Sequence, residues 1–261
     1  MKHVVITGSS RGLGFALAEQ FLKANCHVTI SGQNKVNLDQ ASEKLRQYSN
    51  RVHFVLADVR DKQQLEDLWH QAEQHFDHID IWINNAGINQ SNRALWELVD
   101  ENIDKVIETN LLGSIRGSKL AMSKMLQQGF GQIYNMEGFG SNDMQRKGLN
   151  LYGTTKRAIT YFTTAMAKEA EGTNVNIGLL SPGMMVTDFI TQSEGFSEDG
   201  GKTRRIFNIL GDKPETVAEF LVPRILANTK NGAHFKWLTN RKAAYRFLTS
   251  SFRKRNLFQD T

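Results

Sequence analysis

Short apolar runs and longer amphipathic stretches alternate along most of this chain, and that alternation leaves few folds open. The runs are His3–Thr7, His27–Ser31, Val52–Ala57, Ile79–Asn84, Gln132–Met136, Val175–Leu180 and Ala233–Leu238. Between them, segments of helical period are expected at Gly14–Ala24, Asn37–Tyr48, Lys62–His75, Val99–Gln128, Tyr152–Glu171 and Glu215–Asn228. Short strands apolar on both faces and joined through helices build a parallel sheet with right-handed crossovers. The expectation is an α/β fold: one doubly wound parallel sheet of about seven strands with helices on both faces. No internal repeat or low-complexity linker interrupts it, and Pro182 and Pro214 fall between elements as breakers. A length of 261 residues suits one large α/β domain, set here as residues 1–240 with a basic tail at 241–261.

Hydrophobic residues make up 40% of the chain and charged ones 23%, enough for a sizeable core. No run reaches the ~18 apolar residues of a membrane span, and only Met1 and Lys2 precede the first strand, so no secretory signal is expected. The single cysteine, Cys26, cannot form an intrachain disulfide, which points to the reducing cytoplasm. Its ordinary use is as a small apolar residue entering a strand. Much of the net charge of +5 lies in the tail, where Arg241, Lys242, Arg246, Arg253, Lys254 and Arg255 face only Asp260. Tyr245, Phe247, Leu248 and Phe252 are interleaved with them. Such a segment is either a basic amphipathic helix meeting a membrane surface, an acidic partner or another subunit, or a solvated helix packing its aromatics on its own domain. The second is the expectation. No motif points to nucleic acid. His70, His75 and His78 do not share a helix face and read as surface polar groups, so no metal is expected.

Thr7-Gly8-Ser9-Ser10-Arg11-Gly12-Leu13-Gly14 follows the first strand and opens the first helix, where a dinucleotide pyrophosphate would sit. Gly8 suits the tight turn, Gly12 the close approach of phosphates and Gly14 the packing of helix on strand. Asp58-Val59 and Asn84-Asn85-Ala86-Gly87 come after the third and fourth strands, at the carboxyl ends where ligands bind in such sheets. Asp58 is a candidate acceptor for the adenine amino group; Asn84 either satisfies backbone groups at the sheet edge or touches the ribose. After the second strand the chain reads Ile30-Ser31-Gly32-Gln33-Asn34-Lys35, with no carboxylate to accept from a free 2′-hydroxyl. Arg11 adds a cation in the glycine loop. Both features favour NADPH over NADH, with Ser31, Gln33 and Lys35 as companions of a 2′-phosphate.

Tyr152 and Lys156 stand four residues apart and so share a helix face. An ammonium beside a phenol stabilises the phenolate and lowers a pKa normally near ~10. A phenol tuned in this way exchanges a proton with a carbonyl or alcohol near neutral pH. Two long loops, Gly138–Asn150 and Ile190–Lys213, flank this region, and the second is expected to form a mobile substrate cover. Met184, Met185, Phe189, Phe196 and Phe207 suggest an apolar mouth.

Together with Asn110 in Glu-Thr-Asn-Leu-Leu-Gly and Ser181-Pro182-Gly183 with Thr187, these motifs resemble the short-chain dehydrogenase/reductases, in family order over residues 1 to about 240. The resemblance implies one Rossmann-type domain, commonly a homodimer or homotetramer, moving hydride between a nicotinamide and a small-molecule carbonyl or alcohol. It casts Tyr152 as the acid/base. Lys156 lowers its pKa and holds the nicotinamide ribose, Asn110 orders a water in a proton relay, and Pro182, Gly183 and Thr187 flank the carboxamide. The helices Val99–Gln128 and Tyr152–Glu171 are the subunit contacts that this implies.

One family residue is missing. A serine normally stands about fourteen positions before the tyrosine and bonds the substrate oxygen; here that position is Gly138, between Glu137 and Ser141 in the loop beyond. Either Ser141 or Glu137 reaches in, water or cofactor substitutes, or activity is weak. Glu137 is expected to point away from Tyr152, toward backbone of the following loop. The Asn-Met-Glu-Gly-Phe-Gly-Ser stretch is similar to the chlorophyll b reductases, which reduce a formyl group, and to their bacterial relatives, which in organisms without that pigment act on something else. The leading expectation is an NADPH-dependent carbonyl reductase, and the alternative a catalytically weak NADP-binding regulator or scaffold.

Overall fold

The computed structural model describes residues 1–186, 201–253 and 255–258. Seven parallel strands form one sheet: β1 (His3–Ile6), β2 (His27–Gly32), β3 (Val52–Leu56), β4 (Ile81–Asn84), β5 (Gly131–Met136), β6 (Val175–Ser181) and β7 (Ala233–Lys236). Their order is β3-β2-β1-β4-β5-β6-β7, so the chain reverses direction of travel between β1 and β4. Side chains alternate across the sheet as a strand's period of two requires. Val4 and Ile6 join one apolar cluster and Val5 the other; Ile81 and Ile83 go with the first and Trp82 with the second.

Two layers of helix cover those faces. The first cluster is closed by α1 (Gly12–Lys23), through Leu13, Leu17 and Phe21, and by the helix Pro214–Leu226, through Val217, Leu221 and Ile225. The second is closed by α3 (Lys62–Phe76), through Leu65, Leu68 and Trp69, and by Met125 and Met166 of two longer helices. In chain order the remaining helices are α2 (Lys35–Lys44), α4 (Asp100–Val106), α5 (Gly113–Gln128), α6 (Asn150–Glu169), α7 (Lys202–Leu210), α8 (the Pro214–Leu226 helix) and α9 (Asn240–Thr249). Among the described residues no helix is long and apolar enough to cross a membrane.

Three departures from the sequence reading matter for the site. The expected helix over Val99–Gln128 runs without a gap but winds wider at a π-helical segment, Ile107–Leu112, between α4 and α5. Part of the loop read at Ile190–Lys213 is the helix α7, whose rows of Thr203 and Phe207 are buried. The tail helix α9 does dock on the domain, but by its arginines rather than its aromatics. Asp212 accepts from Arg246 Nη1 and Nη2 (2.7 and 3.1 Å), Arg255 Nη2 (2.7 Å) and Trp237 Nε1 (2.6 Å). Tyr245, Phe247, Leu248 and Phe252 stay exposed.

Candidate active site

The first strand and the fourth are sewn together where both end. The Thr7 hydroxyl accepts the N–H groups of Asn85 and Ala86 (both 3.1 Å), and Asn85 Nδ2 returns bonds to the carbonyls of Thr7 and Gly8 (both 3.0 Å). Gly8 turns at φ +61, and a Cβ there would lie 2.6 Å from the Ala86 Cα; no other residue fits. Gly12, also left-handed, opens the N-terminus of α1 with nothing within 4 Å of where a Cβ would be. An exposed helix N-terminus beside open space is what a pyrophosphate requires, so the loop fits a dinucleotide. It lies in a cleft of about 1690 Å³ that runs along the carboxyl ends of the strands.

Gly8, Ser10, Arg11, Gly12, Leu13, Gly14, Gln33, Asp58, Val59, Asn85, Ala86 and Gly87 line that cleft, and so do Tyr152, Lys156, Pro182 and Gly183 further along. Thr187, Phe189 and Phe196 lie outside the described residues. Asn84 turns inward instead. Its Oδ1 accepts from Trp82 Nε1 (2.8 Å), and its Nδ2 donates to Ser118 Oγ (2.9 Å) and Asn135 Oδ1 (2.8 Å). It is a buried strut between β4, β5 and α5, not a ribose contact. Ser31 is buried with its hydroxyl toward the Ile6 carbonyl, and Lys35 pairs with Asp39 on the exposed face of α2. Neither faces the cleft; Asn34 and Asn37, which the sequence reading passed over, do. Asp58 reaches the cleft already paired, both oxygens on Arg60 at 2.6–3.1 Å. Its partial burial works against the anion, but the Arg60 bonds outweigh that and hold the carboxyl below its usual range.

At the far end, one face of α6 meets the end of β5 residue by residue. The Tyr152 hydroxyl would stand 2.5 Å from a Cβ on Gly138; Lys156 Nζ donates to the Met136 carbonyl (3.1 Å); Thr160 donates to Glu137 Oε1 (2.9 Å). The ammonium lies 5.8 Å from the centroid of the Tyr152 ring, so the two groups share one site. A Cβ on Gly87 would be 3.8 Å from Lys156 Nζ and 3.4 Å from Asn110 Oδ1, which brings the cofactor loop and the π-helical segment to the same point. Asn110 is buried there. Its amide exchanges bonds with Ile88, accepting from the N–H and donating to the carbonyl (both 2.8 Å). Gln90, a residue with no sequence signal, orients the start of α6 by accepting the Tyr152 N–H at 2.7 Å.

The electrostatics differ from the sequence expectation. Burial pushes the Lys156 ammonium down to about 8, opposed by the charge of Glu137. Burial also pushes the Tyr152 phenol up rather than down. Dehydration of the hydroxyl outweighs the nearby cation, because removing a charge from water is worth more than one interaction across several ångströms.

Gly138 is not an empty serine position, since the Tyr152 hydroxyl fills the space a side chain would take. Ser141 does not reach in: its hydroxyl accepts the Gly138 N–H (3.2 Å) and donates to the Lys156 carbonyl (3.3 Å). Glu137 points away from Tyr152 as expected, but toward side chains and not loop backbone: Ser181, His234 (2.8 Å) and Thr160. The cleft is also lined by the apolar Met144, Leu149, Met184, Met185, Ile206 and Phe247 and by the cationic Arg146, Lys202 and Arg241.

The short chain dehydrogenase family model matches residues 2–196. A probable chlorophyll(ide) b reductase, chloroplastic, of Arabidopsis thaliana is 34% identical over 99% of this chain and 55% of its own length. A second chlorophyll(ide) b reductase, chloroplastic, of that plant is 34% identical over 92% of this chain and 71% of its own length. The chain thus spans about half the length of the first of these relatives. In the solved 3-ketoacyl-(acyl-carrier-protein) reductase from Brucella melitensis, complexed with NADH, the same fold recurs with a TM-score of 0.81 at 21% identity, covering 92% of this chain and 98% of that one. A serine dehydrogenase complexed with NADP+ has it with a TM-score of 0.76 at 22% identity, over 89% and 94%.

Proposed function

The chain belongs to the short-chain dehydrogenases, and from that premise we propose that it is an oxidoreductase working as an NADPH-dependent carbonyl reductase. The observation that carries this reading is the meeting of Tyr152 and Lys156 in one cleft with the glycine loop. Bound NADPH would supply the hydride. Tyr152 gives the proton to the substrate oxygen, and burial keeps the phenol protonated, and so in the donating form, at neutral pH. Lys156 holds the nicotinamide ribose and stabilises the phenolate left behind. Asn110, braced on Ile88, anchors the relay that returns the proton. Gly8, Gly12 and the first turn of α1 take the pyrophosphate, and Pro182 and Gly183 flank the carboxamide.

The 2′ end supports NADPH. No carboxylate follows β2, and Arg11, Gln33, Asn34 and Asn37 face the cleft. The apolar side chains lining the cleft suit an apolar aldehyde or ketone, and two relatives whose names specify chlorophyll(ide) b reductase make a formyl-bearing compound the first to test. Assembly as a dimer or tetramer through α5 and α6, and residence in the reducing cytoplasm with Cys26 as a free buried thiol, complete the reading.

One observation favours weaker chemistry: Gly138 offers the substrate oxygen no side-chain donor, a loss that can amount to ~3 kcal/mol. A carbonyl panel followed by absorbance, with NADPH and NADH in parallel, separates the two readings. Turnover with NADPH that Tyr152→Phe lowers by ~10²–10⁴ while cofactor binding persists is the expected result. Cofactor binding without turnover across the panel would instead favour the regulator or scaffold.

A further inference from the structure

The end of β5 carries a carboxylate that hydride and proton transfer do not use. Glu137 is 6% exposed, and its oxygens accept from three separate elements. Thr160 of α6 donates to Oε1 (2.9 Å), while Ser181 at the end of β6 and His234 of β7 (2.8 Å) meet Oε2. The Lys156 carbonyl, 3.1 Å away, is the alternative acceptor for the same Thr160 hydrogen, and Lys156 Nζ bonds the carbonyl of Met136, the residue before Glu137. Carboxylate and ammonium are therefore tied to one helix face and one strand end.

This group is not a nucleophilic triad. His234 meets the Ser181 hydroxyl (2.7 Å) and the carboxylate through the same nitrogen, Nε2, so it cannot take a proton from one while being oriented by the other. Its donors do something simpler. Burial alone would raise the Glu137 carboxyl, but the bonds from His234, Ser181 and Thr160 outweigh it and hold the carboxyl below its usual range. The result is a fixed buried anion. The charged and titratable groups around Lys156 are Tyr152 on its own helix, Glu137 on β5 and, behind Glu137, His234 on β7. Asn110 and Gly87 bring no charge, and Arg157 is turned to Asp143 (3.1 Å) and the Ser141 carbonyl (3.0 Å).

We propose that Glu137 is a positioning residue for Lys156, the fixed anion that keeps this buried ammonium charged and held at the cofactor cleft. The proposal rests on Tyr152 and Lys156 being the hydride-transfer site. It gives the Glu137-Gly138 pair a joint logic: the glycine lets the Tyr152 hydroxyl sit against the strand end, and the glutamate supplies the charge beside it.

The test reads Lys156 directly and needs no turnover. Protein carrying ¹³C at the lysine ε position is titrated by NMR, with Lys156→Arg assigning the signal. The parent should show a midpoint near about 8. In Glu137→Gln, which keeps the shape but loses the charge, the midpoint should fall by about one unit, a tenfold loss of proton affinity. His234→Gln should move it the same way by less, and the alkaline limb of any reductase rate should follow. An unmoved midpoint in folded Glu137→Gln overturns the proposal and leaves the reductase reading standing; a shifted midpoint with no turnover on any carbonyl does the reverse. Should Glu137→Gln fail to fold, Glu137→Asn and Glu137→Ser, both uncharged, carry the same measurement, and a midpoint unmoved in either folded variant overturns it.

Discussion

The two ends of the cleft are built by different means. At the cofactor end, two side chains bond neighbouring backbone: the Thr7 hydroxyl and the Asn85 amide join two short motifs at the tips of adjacent strands. At the substrate end, side chains from distant segments make the walls. Two arginine–aspartate contacts show the contrast. Asp58 pairs with Arg60 two residues away, and both side chains keep solvent contact, at 20% and 32% exposure. Asp212, 5% exposed, gathers Arg246 and Arg255 from the tail. The first is a local turn that any sheet of this kind can carry. The second is a tertiary latch on which the shape of the substrate end depends.

Breaking the latch should have the largest effect. Asp212→Ala leaves two guanidiniums without their buried partner and should lower stability by about 3 kcal/mol, read by denaturant unfolding. The KM for a carbonyl substrate should rise while NADPH affinity holds, because Phe247 and Arg241 line the cleft from α9. A pH series probes the opposite edge of the sheet, where β1 begins. His3 on β1 is pushed down to about 4 by burial. Its unfolded form therefore binds the proton first, and stability should fall as pH drops from ~6.5 toward that value, by about 3 kcal/mol in all. His3→Gln should flatten that slope. The Asp212 carboxyl, held below its usual range because bonds from Arg246, Trp237 and Arg255 outweigh its burial, contributes above ~3.9 and is lost only as pH falls below that.

Gly138→Ser sharpens the comparison further. Restoring the family's serine should lower kcat about tenfold with KM for NADPH unchanged, since the added Cβ would press on the Tyr152 hydroxyl. A gain in kcat would mean that the phenol moves aside freely. The smallest effect is expected for Asp58→Ala, within about 1 kcal/mol in stability, because the pair it removes is partly solvated.

The legible parts follow the same division. The seven strands, their parallel order and the glycine loop were all readable, because period, turn chemistry and motif spacing act within a few residues of sequence. Tyr152 and Lys156 were readable as a pair on one helix face, and the structure puts them in one site. Asn84 was ambiguous, since an amide next to a cleft and an amide beneath it look the same until Trp82, Ser118 and Asn135 are seen around it. Ser31 and Lys35 were assigned to the cofactor on sequence nearness, but strand alternation turns the first inward and helix geometry turns the second toward Asp39. The acidity of Tyr152 went the wrong way because burial is a property of the whole fold.

By itself the sequence determined the architecture, the family and that Tyr152 and Lys156 share a helix face, since those depend on local periodicity and on short motifs at strand tips. Only the tertiary structure decided what surrounds them: the Tyr152 hydroxyl against Gly138, the carboxylate of Glu137 held by β6, β7 and α6, and the tail latched on Asp212. Each of these joins residues from different elements, fourteen to 97 positions apart, and its energy comes from shedding water at a place that exists only once the chain has folded.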